Sequence, residues 1–156
     1  MREMNQIKRK LSDEVTFALL KKGEHGVLAL NGDDGYPYAV PITYSYFDNF
    51  IYFHSANHGY KIDILKKNQK ACLSVIISVE VLPSQFSAKY ESVIVTGEIE
   101  FVEDKNEKNR ALEYLIDQYS SEFKEIGMKF VNGPFGEKTS VFKMKIREVS
   151  GKGKYS

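Results

Sequence analysis

The clearest pattern in the sequence is a strict alternation of bulky and small side chains over residues 36–47, YPYAVPITYSYF. Successive side chains of a strand point to opposite faces. One face of the predicted strand carries Tyr38, Val40, Ile42, Tyr44 and Tyr46. The other face carries Ala39, Pro41, Thr43 and Ser45. The bulky face can fill a core and the small face could support a flat ligand, although an ordinary half-exposed strand would show the same alternation.

Five further segments have the composition of strands: residues 26–30, 50–54, 71–79, 91–102 and 139–149. Residues 71–79 form a continuous apolar run, which is typical of a strand covered on both sides. The short turns at residues 31–35 and at Asp48-Asn49 predict antiparallel hairpins. Residues from Gly151 onward are predicted to form a tail.

Three helices are expected between these strands. The first is capped by Ser12 and ends at Gly23, the second spans residues 60–67, and the third opens at Asp104, with Glu107 three positions later. Residues 120–137 suggest a short helix and a Gly/Pro loop. Strands dominate and do not alternate regularly with helices, so the fold class is mainly β: a six-stranded antiparallel barrel with peripheral helices in one domain, residues 1–156.

Composition excludes several classes of protein. The net charge of +1 and the evenly mixed charges argue against a nucleic-acid reader, which needs a basic stripe. No run approaches the roughly 20 apolar residues of a membrane span, and residues 1–11 do not resemble a secretory signal. The single cysteine, Cys72, excludes an internal disulfide framework. We therefore expect a cytoplasmic protein without a membrane or nucleic-acid partner.

Residues 53–68, FHSANHGYKIDILKKN, mark a corner where a strand leads into a helix. A helix that begins near Gly59 presents free backbone N–H groups and a positive dipole end. Lys61 in the first turn is mildly unfavourable there unless an anion lies between its charge and the helix end. The corner is therefore a candidate phosphate pocket. A solvated lysine on a basic helix is the alternative interpretation.

Other chemistries have weaker support in the sequence. His54 and His58 are four residues apart, but His54 ends a strand and no HExxH glutamate is present, so no metal site is predicted. There is no GxSxG motif for a hydrolase, and Cys72 lies in an apolar strand where its thiol should be inert. Walker A and GxGxxG motifs are also missing.

With these residues identified, the chain resembles the flavin-binding split-barrel proteins related to pyridoxamine 5′-phosphate oxidase, and within them the nitroimidazole-resistance (Nim-type) branch. The resemblance spans nearly the whole chain. It rests on DGYPY, VP, YFHSA and GxK at these distances. It implies a six-stranded antiparallel split barrel that forms a homodimer, with FMN bound at the subunit interface.

The resemblance also implies the roles of the site residues. The flavin ring would lie along the strand formed by Val40, Pro41, Ile42 and Thr43. The ribityl phosphate would be held by His54, Ser55, Ala56 and the turn through His58 and Gly59 to Lys61, which matches the family's phosphate lysine. Tyr60 departs from the family, in which His or Arg is common at this position. Its hydroxyl could donate to the phosphate, or its ring could simply pack.

His54 matches a histidine that lies near flavin and substrate in the Nim-type branch, and is thus the candidate catalytic residue; a strand-end histidine with a satisfied ring is the alternative. The resemblance implies an FMN-dependent oxidoreductase acting on a small molecule of the nitroaromatic type. The alternatives are a non-catalytic flavin- or haem-binding protein, with His54, His58 or His25 as haem ligands, and a degenerate barrel used for interaction.

Overall fold

The computed structural model describes residues 1–156, which form six strands and five α-helices. The strands are β1 (His25–Asn31), β2 (Pro37–Phe47), β3 (Phe50–Ala56), β4 (Lys70–Leu82), β5 (Ser87–Phe101) and β6 (Thr139–Lys154). The helices are α1 (Asp13–Lys22), α2 (Tyr60–Lys67), α3 (Lys105–Tyr119), α4 (Lys124–Val131) and α5 (Pro134–Lys138). Short 3₁₀ turns occupy Ile7–Arg9, Pro83–Gln85 and Ser121–Phe123.

The strands pair in the order β1-β2-β3-β6-β5-β4, and β4 pairs again with β1, so the sheet closes into a ring. Every pairing is antiparallel. The predicted mainly β, six-stranded antiparallel fold is therefore confirmed. The hairpin between β2 and β3 turns at Asp48 and Asn49, both with positive φ, as the predicted two-residue turn requires.

Two apolar cores stabilise this arrangement. The larger one fills the ring and includes Ile42 and Tyr44 from the bulky face of β2, as the alternation predicted. The smaller one lies outside the ring, where α3 and Val131 cover Tyr52 and Val141. Helices α3 and α4 therefore cover the ring on the side of β3 and β6, whereas α1 and α2 contribute to the larger core.

Three predicted features differ from the structure. β4 is not covered on both sides, because no helix packs over its outer face, and Ile76 is 68% exposed. The predicted tail is the end of β6, where Gly151 pairs with Val93 of the long strand β5. Residues 120–137 form a 3₁₀ turn and two short helices in place of one helix and a loop.

A partly buried charge network fixes the start of α3 to the ring. Asp104 caps the helix as predicted, since its side chain accepts a hydrogen bond from the backbone N–H of Glu107 at 2.7 Å. Glu107 Oε1 accepts from Lys143 Nζ at 2.6 Å and from the Tyr52 hydroxyl at 2.9 Å. The two charged side chains are only 14% (Lys143) and 22% (Glu107) exposed. Their ion pair is therefore poorly screened by solvent.

The hydrogen bond from Lys143 holds the pKa of the Glu107 carboxyl below its usual range. The Glu107–Lys143 pair therefore stabilises the fold fully above about pH 4.3, the pKa of a glutamate in the unfolded chain. This stabilisation is lost as the pH falls through the lower pKa of Glu107 in the folded state. We expect Glu107→Gln to lower the free energy of unfolding by about 1.5 kcal/mol at pH 7. The difference from the parent should shrink towards pH 3, as measured by urea denaturation.

Glu113→Gln is the matched control, because the Glu113–Lys124 pair has the same charges but both side chains are 43% exposed. Solvent screening should limit its effect to less than about 1 kcal/mol. A loss in Glu107→Gln that is equally large at pH 3 and pH 7 would contradict a charge-based role.

Candidate functional site

The wall of the ring opens between β2 and β3. The first half of β2 pairs with β1, from Pro37 opposite Asn31 to Thr43 opposite His25. Only the second half of β2, from Tyr44, pairs with β3, and that pairing ends at Phe53. From His54 onward β3 pairs only with β6. The two strands therefore separate beyond Tyr44 and Phe53, and we call this opening the split.

The edge of β2 at the split has the predicted small face. Ala39 and Pro41 are exposed and Thr43 is half-buried, whereas Val40 and Ile42 pack against the main core. Pro41 has no N–H to donate, which suits a strand segment whose pairing has stopped on one side. The predicted strand therefore has a bulky face towards the core and a low surface beside an opening.

The predicted corner lies on the other side of the split. Gly59 precedes α2 with φ +117°, a backbone conformation that residues other than glycine rarely adopt. No side chain caps α2, and a Cβ built on Gly59 would meet no atom within 4 Å. The start of the helix is therefore open to a ligand.

Lys61 is half-buried in the first turn of α2. Burial lowers the pKa of its amine, and no carboxylate contributes a compensating shift. A cation that has lost part of its hydration without gaining an acidic partner is unfavourable. The structure thus places at this corner a positive charge that an external anion would stabilise.

Ser55 and Ala56 line the adjacent edge of β3. The Ser55 hydroxyl donates to the Ala56 carbonyl at 2.9 Å, and Ala56 is exposed. His58 is exposed in the following turn, where its Nδ1 lies 3.3 Å from Asn57 Oδ1. The predicted phosphate residues are therefore close together along the chain, but the His58 ring is engaged with its own turn.

Tyr60 packs and does not face the corner. Its ring meets Tyr38 edge to face, with centroids 4.9 Å apart. Its hydroxyl accepts a hydrogen bond from the Asp33 N–H at 3.0 Å, and Asp33 also binds Lys67 at 2.6 Å. Tyr60 therefore joins α2 to the β1–β2 turn, which is the packing alternative that the sequence left open.

His54 points away from the interior of the ring and lies beside the split. Its Nδ1 is buried without a hydrogen-bond partner. Burial, together with the positive charge of Lys61, lowers the pKa of the imidazole. The ring is therefore neutral at pH 7. The alternative of a histidine with a satisfied ring is not what the structure shows.

A cavity of about 630 Å³ lies over His54 and Thr43, beneath α3, α4 and α5. His25 also contributes to it, with its Nδ1 3.1 Å from Thr43 Oγ1. The lining consists of His25, Thr43, His54, Leu112, Leu115, Ile116, Tyr119, Ser120, Gly127, Phe130, Val131 and Phe135. No Lys, Arg, Asp or Glu is among them, so the cavity is apolar with a few neutral polar groups.

Most of this cavity leaves no pattern in the sequence. Phe130 and Phe135 belong to the segment 120–137, whose short helices have no long repeat to reveal them. Tyr119 falls at a helical repeat position of α3, which does not reveal that its hydroxyl donates to the Tyr44 carbonyl at 2.6 Å, next to the split. The one signal in the sequence is the presence of Phe123, Phe130 and Phe135 within eight residues of Gly127.

The structure has no cluster of three or more His, Cys, Asp or Glu side chains arranged to hold a metal ion. None of its helices combines the length and apolar character needed to cross a membrane.

The sequence was also compared with known proteins. The family model for pyridoxamine 5′-phosphate oxidase matches residues 12–153, nearly the whole chain. The chain belongs to the pyridoxamine 5′-phosphate oxidase family. The recognition of this family from the sequence is therefore confirmed. No curated protein matches the sequence significantly.

Solved structures of the same fold include several proteins described by their ligands. A candidate 5-nitroimidazole antibiotic resistance protein from Bacteroides thetaiotaomicron is 22% identical, with a TM-score of 0.75 over 92% of this chain and 86% of that chain. An FAD-binding protein from Mesorhizobium loti is 26% identical, with a TM-score of 0.68 over 94% and 98%. The flavocytochrome Anf3 from Azotobacter vinelandii is 20% identical, with a TM-score of 0.82 over 99% and 73%.

Proposed function

We propose that this protein is an FMN-binding oxidoreductase whose ring is a split barrel of the flavin-binding type. The observation that carries the proposal is the half-buried Lys61 amine at the open start of α2, beside a strand edge with a low surface. A phosphate dianion would supply the negative charge that this lysine lacks. Family membership and flavin-binding proteins of the same fold support the choice of flavin.

Two groups of residues would hold FMN, one at its ring and one at its phosphate. Val40, Pro41, Ile42 and Thr43 would border the flavin ring, with backbone groups of this strand towards its polar edge. His54, Ser55, Ala56, His58, Gly59, Tyr60 and Lys61 form the corner that would hold the ribityl phosphate. Within this corner Lys61 would supply the charge and Gly59 the close backbone approach. Tyr60 would act by fixing α2 against Asp33 and not by touching the phosphate.

Bound flavin supplies hydride or single-electron transfer, and the protein supplies orientation and shielding from water. The apolar cavity beneath α3–α5 offers few hydrogen-bond partners to water on the substrate side. His54 faces this region as a neutral imidazole and can share a proton with a substrate oxygen. A small nitroaromatic is the substrate type that we propose, supported by the resemblance and by the nitroimidazole-resistance protein of the same fold.

The direct test is to add FMN to the purified protein and record its absorbance spectrum. We expect a yellow complex with shifted flavin bands that dithionite bleaches, and recovery of the bands when a nitroaromatic is added. Protein that leaves the spectrum of FMN unchanged at micromolar concentrations would refute flavin binding.

The surface of the ring opposite the helices supports the proposal of a homodimer. Val27 on β1 and Ile94 on β5 both lie opposite Ser74 of β4, and Ile76 lies two residues further along the same face. Val27 is 41%, Ile76 68% and Ile94 42% exposed. An uncharged apolar row of this kind is typical of an interface between protein chains.

We expect the parent protein to sediment as a dimer at micromolar concentration. Ile76→Lys should weaken association at least about tenfold, because it would bury an unpaired charge in the interface. Ile126→Lys on α4 is the matched control, since Ile126 is 54% exposed on the helical side, and it should remain dimeric. A monomeric parent would contradict the proposed assembly.

A haem protein is the second candidate, because two imidazoles, His25 and His54, line one large apolar cavity. His58, the third candidate ligand, does not line it. Haem carries two propionates, and the cavity offers no Lys or Arg to bind them. We therefore favour flavin. A Soret band in the purified protein or after addition of haemin would favour haem.

A further inference from the structure

We propose that the cavity beneath α3–α5 is a binding site for uncharged, largely apolar molecules that accept one hydrogen bond from His54, and that Phe130 and Phe135 determine which of them fit. This inference rests on the proposed function in that the ligand would be the flavin's reaction partner. It also makes a claim about this chain's own cavity that is measurable without flavin.

The lining of the cavity argues for an uncharged ligand. Its volume of about 630 Å³ lies within the usual range for small-molecule pockets, roughly 300–1,000 Å³. An anion entering it would lose hydration without meeting a cation, and a cation would meet no carboxylate. The same reasoning disfavours phosphorylated pyridoxal compounds, whose phosphate would be left unpaired here.

The state of His54 argues for a ligand that accepts a hydrogen bond. A buried N–H without a partner is rarer in proteins than a buried acceptor without one. The buried, unpartnered Nδ1 is therefore best left without a proton, which puts the hydrogen of the neutral ring on Nε2. His54 lines the cavity, so an Nε2–H donor suits a carbonyl, quinone or nitro oxygen.

Phe130 and Phe135 form the outer wall of the cavity. Their rings meet edge to face, with centroids 6.3 Å apart. Phe130 is 59% and Phe135 57% exposed in the free protein. They contribute little to the core, so their apolar surface is available to a ligand. A flat aromatic molecule lying under this pair would bury both rings.

Three naphthalenes of similar size separate these requirements. 2-Acetylnaphthalene is uncharged and has an acceptor, 2-ethylnaphthalene is uncharged and has none, and 2-naphthoate is an anion. Their affinities for the full chain would be measured by calorimetry, with and without added FMN. We expect the acetyl compound to bind about fivefold more tightly than the ethyl compound, the ratio of one neutral hydrogen bond. 2-Naphthoate should bind at least about tenfold more weakly than the acetyl compound.

Three variants locate the site. His54→Phe should remove the preference for the acetyl over the ethyl compound. Phe130→Ala should weaken the binding of both uncharged ligands about tenfold, the effect of removing one partly buried aromatic ring. Phe123→Ala is the matched control, because Phe123 is 62% exposed and lies outside the cavity, and it should bind like the parent. Thermal melting of each variant checks that it is folded.

Equal binding of 2-naphthoate and 2-acetylnaphthalene, or an unchanged affinity in folded Phe130→Ala, would overturn the inference. Absence of binding by all three compounds, with and without FMN, would overturn it as well. Ligand binding with the expected order in a protein that takes up no FMN would uphold the cavity and refute the flavin proposal, so the two failures are distinguishable.

Discussion

Replacing Lys61 with alanine should weaken FMN binding by about 1.5–3 kcal/mol, the usual contribution of a hydrogen bond to a charged group. This corresponds to a rise in Kd of roughly 10- to 150-fold. The physical reason is the position of the amine, half-buried in the first turn of α2 without an acidic partner. The affinity would be measured by titrating the protein with FMN and following flavin fluorescence.

Riboflavin, which lacks the phosphate, provides the sharpest control for this variant. We expect Lys61→Ala to bind riboflavin as the parent does, so that the loss appears only with FMN. Lys66→Ala is the matched protein control, because Lys66 is an exposed lysine of the same helix. An equal loss for both flavins would show that Lys61 acts on the ring or on the fold and not on the phosphate.

The stability of Lys61→Ala without ligand gives a second check. Burial lowers the pKa of Lys61, which means that the folded state disfavours the charged amine relative to the unfolded chain. The variant should therefore unfold at the same temperature as the parent or at a higher one. A marked destabilisation of the ligand-free variant would mean that Lys61 has a structural partner within the chain.

Phe53→Ala should lower the free energy of unfolding by about 3–5 kcal/mol, the usual cost of truncating a fully buried phenylalanine. Phe53 is 0% exposed and stacks on Phe142 with centroids 5.3 Å apart. It is also the last residue of β3 that pairs with β2, opposite Tyr44. Urea denaturation should show an earlier midpoint.

The exposed residue Phe86 is the control for this substitution. It is 98% exposed at the turn between β4 and β5, so Phe86→Ala should change stability by less than about 0.5 kcal/mol. If Phe53→Ala were equally neutral, Phe53 would not support the base of the split, and the described core would be wrong.

The features that the sequence revealed are those set by local periodicity and turn chemistry. The alternation along β2 predicted which residues enter the core because a half-covered strand must divide its two faces. Asp104 could be identified as a helix cap because capping depends on residues three positions apart. The open corner at Gly59 and Lys61 was visible for the same local reason.

The features that stayed hidden depend on contacts between distant segments. Nothing in residues 71–79 indicates that the outer face of β4 lacks a covering helix. Likewise, Gly151 and its neighbours have no strand pattern of their own, and they extend β6 because the long β5 offers backbone partners. The role of Tyr60 depends on Asp33, which lies 27 residues away in the β1–β2 turn.

Only one side of the site could be predicted from the sequence. One side of it, the strand and the corner, is contiguous in sequence and carries a family motif. The apolar cavity is assembled from α3, α4 and α5, whose contributions meet only when these short helices pack over His54. A sequence pattern cannot report an empty volume between separate elements.

The most direct measurement is a ¹⁵N–¹H spectrum of the protein titrated with FMN, with the shifted amides assigned to residues. If flavin occupies the split, the largest shifts should fall on the amides of Ile42, Thr43 and Ser55 and on those of Gly59 to Lys61. Unchanged positions for these amides while others shift, or no shifts at saturating FMN, would contradict the account.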